Sequence, residues 1–106
     1  MYTKTATIER IQAMGKQILP KGSHLWLYGS RARGDNRADS DWDLLVLVDK
    51  DAQLLHDLDR YVYPFMEMGW LLGEEINPML YTSGEWSMRS YTPFYRNVEH
   101  DKVVLV

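Results

Sequence analysis

Residues 25–49, LWLYGSRARGDNRADSDWDLLVLVD, limit this chain to few folds. The stretch holds two apolar runs, Leu25 to Tyr28 and Leu44 to Val48, each long enough for a strand buried on both faces. Each run touches a polar motif: the first ends in Gly29-Ser30 and the second begins on Asp41-Trp42-Asp43. Side chains alternate across a strand, so Asp41 and Asp43 project from one face about 7 Å apart while Trp42 projects from the other. Two neighbouring carboxylates repel, and a divalent cation is the simplest compensation. Mg²⁺ takes oxygen ligands, uses one or two carboxylates, and leaves its other positions to water and substrate phosphates. Gly29-Ser30 suits the phosphates, because glycine permits close backbone approach and a serine opening a short helix offers N–H groups and a hydroxyl to an anion.

The spacing of these motifs carries a resemblance. Gly29-Ser30, ten residues from Arg31 to Ser40, then Asp41-x-Asp43 running into an apolar strand is similar to the nucleotidyltransferase superfamily that includes DNA polymerase β. Most closely it resembles the small stand-alone members, the minimal nucleotidyltransferases. The resemblance implies an α/β (α+β) fold, a small mixed sheet flanked by helices of the polymerase palm type. It also implies transfer of a nucleoside monophosphate, AMP from ATP, with two Mg²⁺ ions held chiefly by Asp41 and Asp43. Gly29 and Ser30 would hold the β- and γ-phosphates, with Arg31 and Arg33 beside them. The implied partner is a small helical protein of the HEPN family, paired with this chain as toxin to antitoxin. Homo-oligomerisation is compatible with the chain.

Active members of that superfamily carry a third carboxylate on the next strand, facing the aspartate pair and acting on the attacking hydroxyl. Here the strand is read at Glu74 to Thr82, EEINPMLYT, and Asn77 occupies that position. An amide cannot accept a proton at neutral pH. Glu75, two residues earlier and on the same face, is the substitute, displaced by about one pleat. The departure supports a second reading, a catalytically impaired module that keeps the fold and neutralises a partner by binding alone. Pro78 removes a ladder donor and points to an edge strand or bulge.

The residues also admit plainer readings. Asp41 could cap the turn after Ser40, and Arg31 or Arg33 could pair with Asp35 or Asp39 in a solvated loop. Asp43, set against a buried run, is harder to explain without a partner, since an unpaired buried carboxylate is costly. His24, alone at a loop–strand junction, reads as a polar surface residue.

With 106 residues the whole chain, 1–106, is expected to form one domain. Its net charge of −3 argues against general nucleic-acid binding, and its only basic cluster, Arg31, Arg33 and Arg37, is interleaved with acids. There is no cysteine, which removes thiolate metal sites and thiol nucleophiles. No stretch has the apolar run of a leader or a membrane span, so the protein is read as cytoplasmic.

Outside the central stretch, helical spacing of Ile8, Ile11, Met14, Ile18 and Leu19 predicts an amphipathic helix from Thr5 to Leu19. A long helix capped by residues 49–51 is expected to lay down Leu54, Leu55, Leu58, Tyr61, Val62, Phe65 and Met68, with a bend near 60–63 ahead of Pro64. Exposed side chains from Tyr63 to Trp70 are a candidate contact surface. Thr82-x-x-Glu85 has the form of a capping box and Thr92-Pro93 that of an N-cap with proline at the first helical position. Tyr91, Phe94, Tyr95 and Val98 are expected to pack in the core, and residues 102–106 to add a short strand.

Overall fold

The structure is a computed structural model describing residues 4–106; residues 1–3, part of the N-terminal stretch read above for a leader, lie outside it. Strand β2 (Trp42–Val48) is central because both its faces are apolar: Leu44, Leu45 and Val46 are fully buried. Strand β1 (His24–Tyr28) lies antiparallel to it, with Leu25 opposite Val46 and Tyr28 opposite Asp43. On the other side β3 (Ile76–Thr82) runs parallel, with Asn77 opposite Asp43. A short β4 (Val103–Val104) pairs antiparallel with β1, giving one mixed sheet in the order β3-β2-β1-β4. Pro78 therefore sits on an edge strand, where its missing N–H is tolerated.

Helices cover both faces. Helix α1 (Lys4–Ile18) and helix α4 (Tyr63–Leu72) bring Ile11 and Phe65, both fully buried, onto Leu25, Leu27, Trp42, Leu44 and Val46. On the opposite face α5 (Ser83–Met88) and α6 (Pro93–Asp101) set Trp86 and Val98 against Trp26, Leu45 and Leu47. Trp86 meets Trp26 and Tyr81 edge-on at 6.0 and 5.1 Å between ring centroids, and Phe94 and Tyr95 pack against this cluster. Each such side chain contributes about 1.5–3 kcal/mol by leaving water. Both expected caps form: Thr82 accepts from the Glu85 N–H at 3.1 Å while Glu85 accepts from the Thr82 N–H at 3.0 Å, and Thr92 accepts from the Tyr95 N–H at 3.1 Å.

Two expectations fail. The long helix does not start at residues 49–51, because that backbone is committed elsewhere: the Thr82 hydroxyl donates to the Asp51 carbonyl at 2.9 Å. Residues 50–56 instead close as a loop on the buried Asp57, which accepts from the Leu54 N–H at 2.6 Å and pairs with Lys50 at 2.5 Å. Leu54, Leu55 and Leu58 are consequently 70%, 89% and 58% exposed. Helix α3 (Asp57–Tyr61) then ends at Val62, and Pro64 falls in the first turn of α4, so the bend ahead of Pro64 is present as a break between two helices. Tyr91 is also exposed, at 79%, because it precedes the Thr92 cap and lies outside α6. Among the described residues no helix is long and apolar enough to cross a membrane.

Candidate active site

The site forms where β1 ends beside the start of β2. Tyr28 pairs with Asp43, so the next residue, Gly29, arrives against the Asp43 carboxylate. Gly29 has φ 76° and ψ −158°, a region open essentially to glycine alone. A Cβ at this position would lie 2.5 Å from Asp43 Oδ2, which no side chain could do without displacing the acid. The Gly29 carbonyl accepts from the N–H groups of Ala32 and Arg33, both at 3.1 Å, and so opens α2 (Ser30–Arg33) with Ser30 as its first residue.

Asp41 and Asp43 are both half-buried and flank Trp42, which turns into the opposite face and is 1% exposed. Burial pushes the Asp43 carboxyl above the usual carboxylate range, a hydrogen bond from Asn77 offsets this, and the charge of Asp41 adds to the rise. Asn77 Nδ2 donates to Asp41 Oδ2 at 3.0 Å. Glu75, exposed and one residue ahead of β3, lies beside Asp41, and the interaction with that neighbouring acid raises its carboxyl as well. Gly29, Asp41, Asp43, Glu75 and Asn77 thus meet in one place, with Ser30 next to Gly29.

Arg31 and Arg33 stand close by but are occupied. The Arg31 guanidinium stacks 4.0 Å from the Trp42 ring centroid and donates to the carbonyls of Ser40, at 2.7 Å, and Ala38, at 3.1 Å. It clamps the polar loop that delivers Asp41 to the site. Arg33 pairs with Asp35 at 3.2 Å, one of the plain readings above, and with Asp101 of α6 at 3.1 Å. Neither contact set points a guanidinium freely at a phosphate site.

Sequence reasoning passed over Tyr28. Its hydroxyl is pushed up to about 12, first by burial and then by the charge of Asp43, and it donates to Met79 Sδ at 3.4 Å. Only the strand register reveals this neighbour, and nothing local to Tyr28 signals it. A cleft of about 450 Å³ adjoins the acids between α4 and the start of β3, lined by Met66, Trp70, Glu74, Glu75 and Asn77. It overlaps the stretch Tyr63 to Trp70 read as a contact surface.

The donor chemistry suits one Mg²⁺: two converging carboxylates are what that ion takes from a protein, with water and phosphates completing its shell. Among the described residues no group of three or more His, Asp or Glu side chains is placed to hold a metal ion.

Comparison with known proteins gives the family and the fold. The family model described as Polymerase beta, Nucleotidyltransferase matches residues 9–82, which include most of α1, all of the site and β3. Protein adenylyltransferase MntA of Aphanizomenon flos-aquae (strain 2012/KM1/D3) is 35% identical over 77 residues, covering 70% of this chain and 51% of that protein. The chain thus spans about half the length of the curated relative it matches. A crystal structure of a toxin-antitoxin with AMP-PNP superposes with a TM-score of 0.63 at 17% identity, over 93% of this chain and 72% of that one, a likeness of fold.

Proposed function

The chain belongs to the polymerase β nucleotidyltransferase family, and on that premise we propose that it transfers AMP from ATP to a hydroxyl of a partner protein, releasing pyrophosphate, as the antitoxin of a toxin–antitoxin pair. The partner we propose is a small helical HEPN-type protein, and the setting cytoplasmic. The observation that carries the reading is the meeting of Gly29 with Asp43. A glycine-only turn that opens a helix at Ser30 is built against one of two solvent-accessible acids, so a triphosphate and a cation would share one pocket. The relative named adenylyltransferase and the fold neighbour crystallised with AMP-PNP support the choice of nucleotide.

In this reading Ser30 and the backbone that follows Gly29 bind the terminal phosphates, and Asp41 and Asp43 would hold Mg²⁺. When bound, that ion supplies neutralisation of the phosphate charge and Lewis-acid polarisation at the reacting phosphorus. Arg31 fixes the loop that carries Asp41, and the apolar packing of Trp42 fixes the strand that carries Asp43. Glu75, exposed beside Asp41, is the group we assign to receive, as the ionised carboxylate, the proton of the attacking hydroxyl. Most of the rate enhancement comes from positioning and charge, as for other phosphoryl transfers. The test is incorporation of α-labelled ATP into a co-expressed HEPN-type partner. Labelling should be lost in Asp43→Asn; labelling that persists in that variant removes the assigned chemistry.

The second reading, neutralisation by contact alone, is favoured by Asn77 at the position opposite Asp43. Its contact surface would be the face of α4 where Tyr63 and Trp70 stand 47% and 63% exposed. If a folded Asp41→Ala/Asp43→Ala double variant still binds and silences the partner in cells, contact suffices; if it binds without silencing, transfer is required.

A further inference from the structure

We infer that, with nucleotide bound, this site retains one divalent cation rather than two, because the residue facing the aspartate pair across the sheet is the neutral Asn77. The inference rests on the nucleotidyltransferase reading above and deepens it. Asn77 stands directly opposite Asp43 in the parallel β2–β3 register, and its amide nitrogen is 3.0 Å from Asp41 Oδ2. Two dications about 3.5–4 Å apart repel strongly and persist only where shared anionic ligands bridge them. Asp41 and Asp43 supply two negative charges, and the Arg33 guanidinium lies near enough to Asp43 to offset part of one.

A first ion is well served, since two carboxylates, the triphosphate and water complete a Mg²⁺ shell. A second finds little. The carboxamide of Asn77 offers one neutral oxygen, and its N–H end is the end turned toward the acids, so serving as a ligand would require it to flip and give up the Asp41 bond. Glu75 does not fill the gap. It lies ahead of β3, its neighbour at the site is Asp41, and among the described residues no three acids are placed to hold a metal ion together.

The test counts ions directly and needs no turnover. Mn²⁺ is titrated into the protein with saturating AMP-PNP and followed by electron paramagnetic resonance. Wild type should take up one Mn²⁺ per complex with the spectrum of an isolated ion. Asn77→Asp should take up two, with the spin-coupled spectrum of a close pair, and Asn77→Ala should stay at one. Circular dichroism checks that each variant is folded, and the wild-type count decides the matter even if Asn77→Asp is not. A coupled pair in wild type overturns this inference alone, and a single ion in folded Asn77→Asp overturns the role given to Asn77. Failure of AMP-PNP to bind wild type at all overturns the nucleotide reading and this inference with it.

Discussion

Replacing Gly29 by alanine tests whether the turn and the acid are built against each other. Two separable penalties are expected. At φ 76° and ψ −158° a non-glycine residue is held in a region that costs about 1–3 kcal/mol. The new Cβ would also lie 2.5 Å from Asp43 Oδ2, where ordinary contact begins at 3.4 Å, so the carboxylate must retreat by 0.9 Å. Overpacking of that kind costs about 1–3 kcal/mol, and the sum should be about 2–4 kcal/mol once the acid relaxes toward solvent. For a domain of this size 1 kcal/mol lowers Tm by roughly 4–8 °C. Gly34→Ala is the control. Gly34 has φ 85° in the left-handed region with nothing within 4 Å of a Cβ, so only the backbone penalty of about 1–2 kcal/mol applies. Thermal melts followed by circular dichroism give the stability difference, and calorimetry with Mg²⁺ and AMP-PNP gives binding. Gly29→Ala should melt below Gly34→Ala and lose nucleotide binding, which Gly34→Ala keeps. Equal melting and equal binding for the two variants would refute the coupling of turn and acid.

Other consequences are open to equally direct measurement. Burial raises the Asp43 carboxyl, so its stabilising contribution belongs below the ordinary carboxylate range and is gone above its raised value. Asp43→Asn should therefore melt no lower than wild type at pH 7 while AMP transfer falls by about 100-fold or more, and the difference in Tm should shrink on acidification. Asp57 is the opposite case: the Leu54 N–H and then Lys50 hold it below the usual range, so its contribution is present at neutral pH and lost as pH falls through its depressed value. Urea midpoints of wild type and Asp57→Asn, well separated at pH 7, should converge in acid. Thr82→Ala removes both a cap and a buried hydrogen bond to Asp51, and should cost about 1–2 kcal/mol in urea denaturation. Trp86→Ala empties the centre of the second core, where the ring is 4% exposed and its Nε1 donates to Glu99 at 2.8 Å, and should cost about 3–5 kcal/mol by the same assay.

Much of this protein is written in local sequence. The apolar runs before Ser30 and after Asp43 dictate adjacent buried strands, and the alternation of Asp41, Trp42 and Asp43 sends the ring inward and the acids together. The caps at Thr82 and Thr92 are equally local, since each is closed by a residue three positions on. Tertiary structure decided what depends on partners distant in the chain. Residues 50–56 have the apolar side chains of a helix, yet Lys50, Asp51 and Leu54 are claimed by Asp57 and Thr82, and that competition cannot be read from periodicity. The local sequence offers Arg31 and Arg33 phosphates or loop acids alike; the stacking of Arg31 on Trp42 and the pairing of Arg33 with Asp101 come from partners that only the fold brings near. The identity of Asn77 was plain from the sequence, but only the parallel register of β3 on β2 set it opposite Asp43 with its amide on Asp41, because pairing across a sheet joins residues that no local pattern connects.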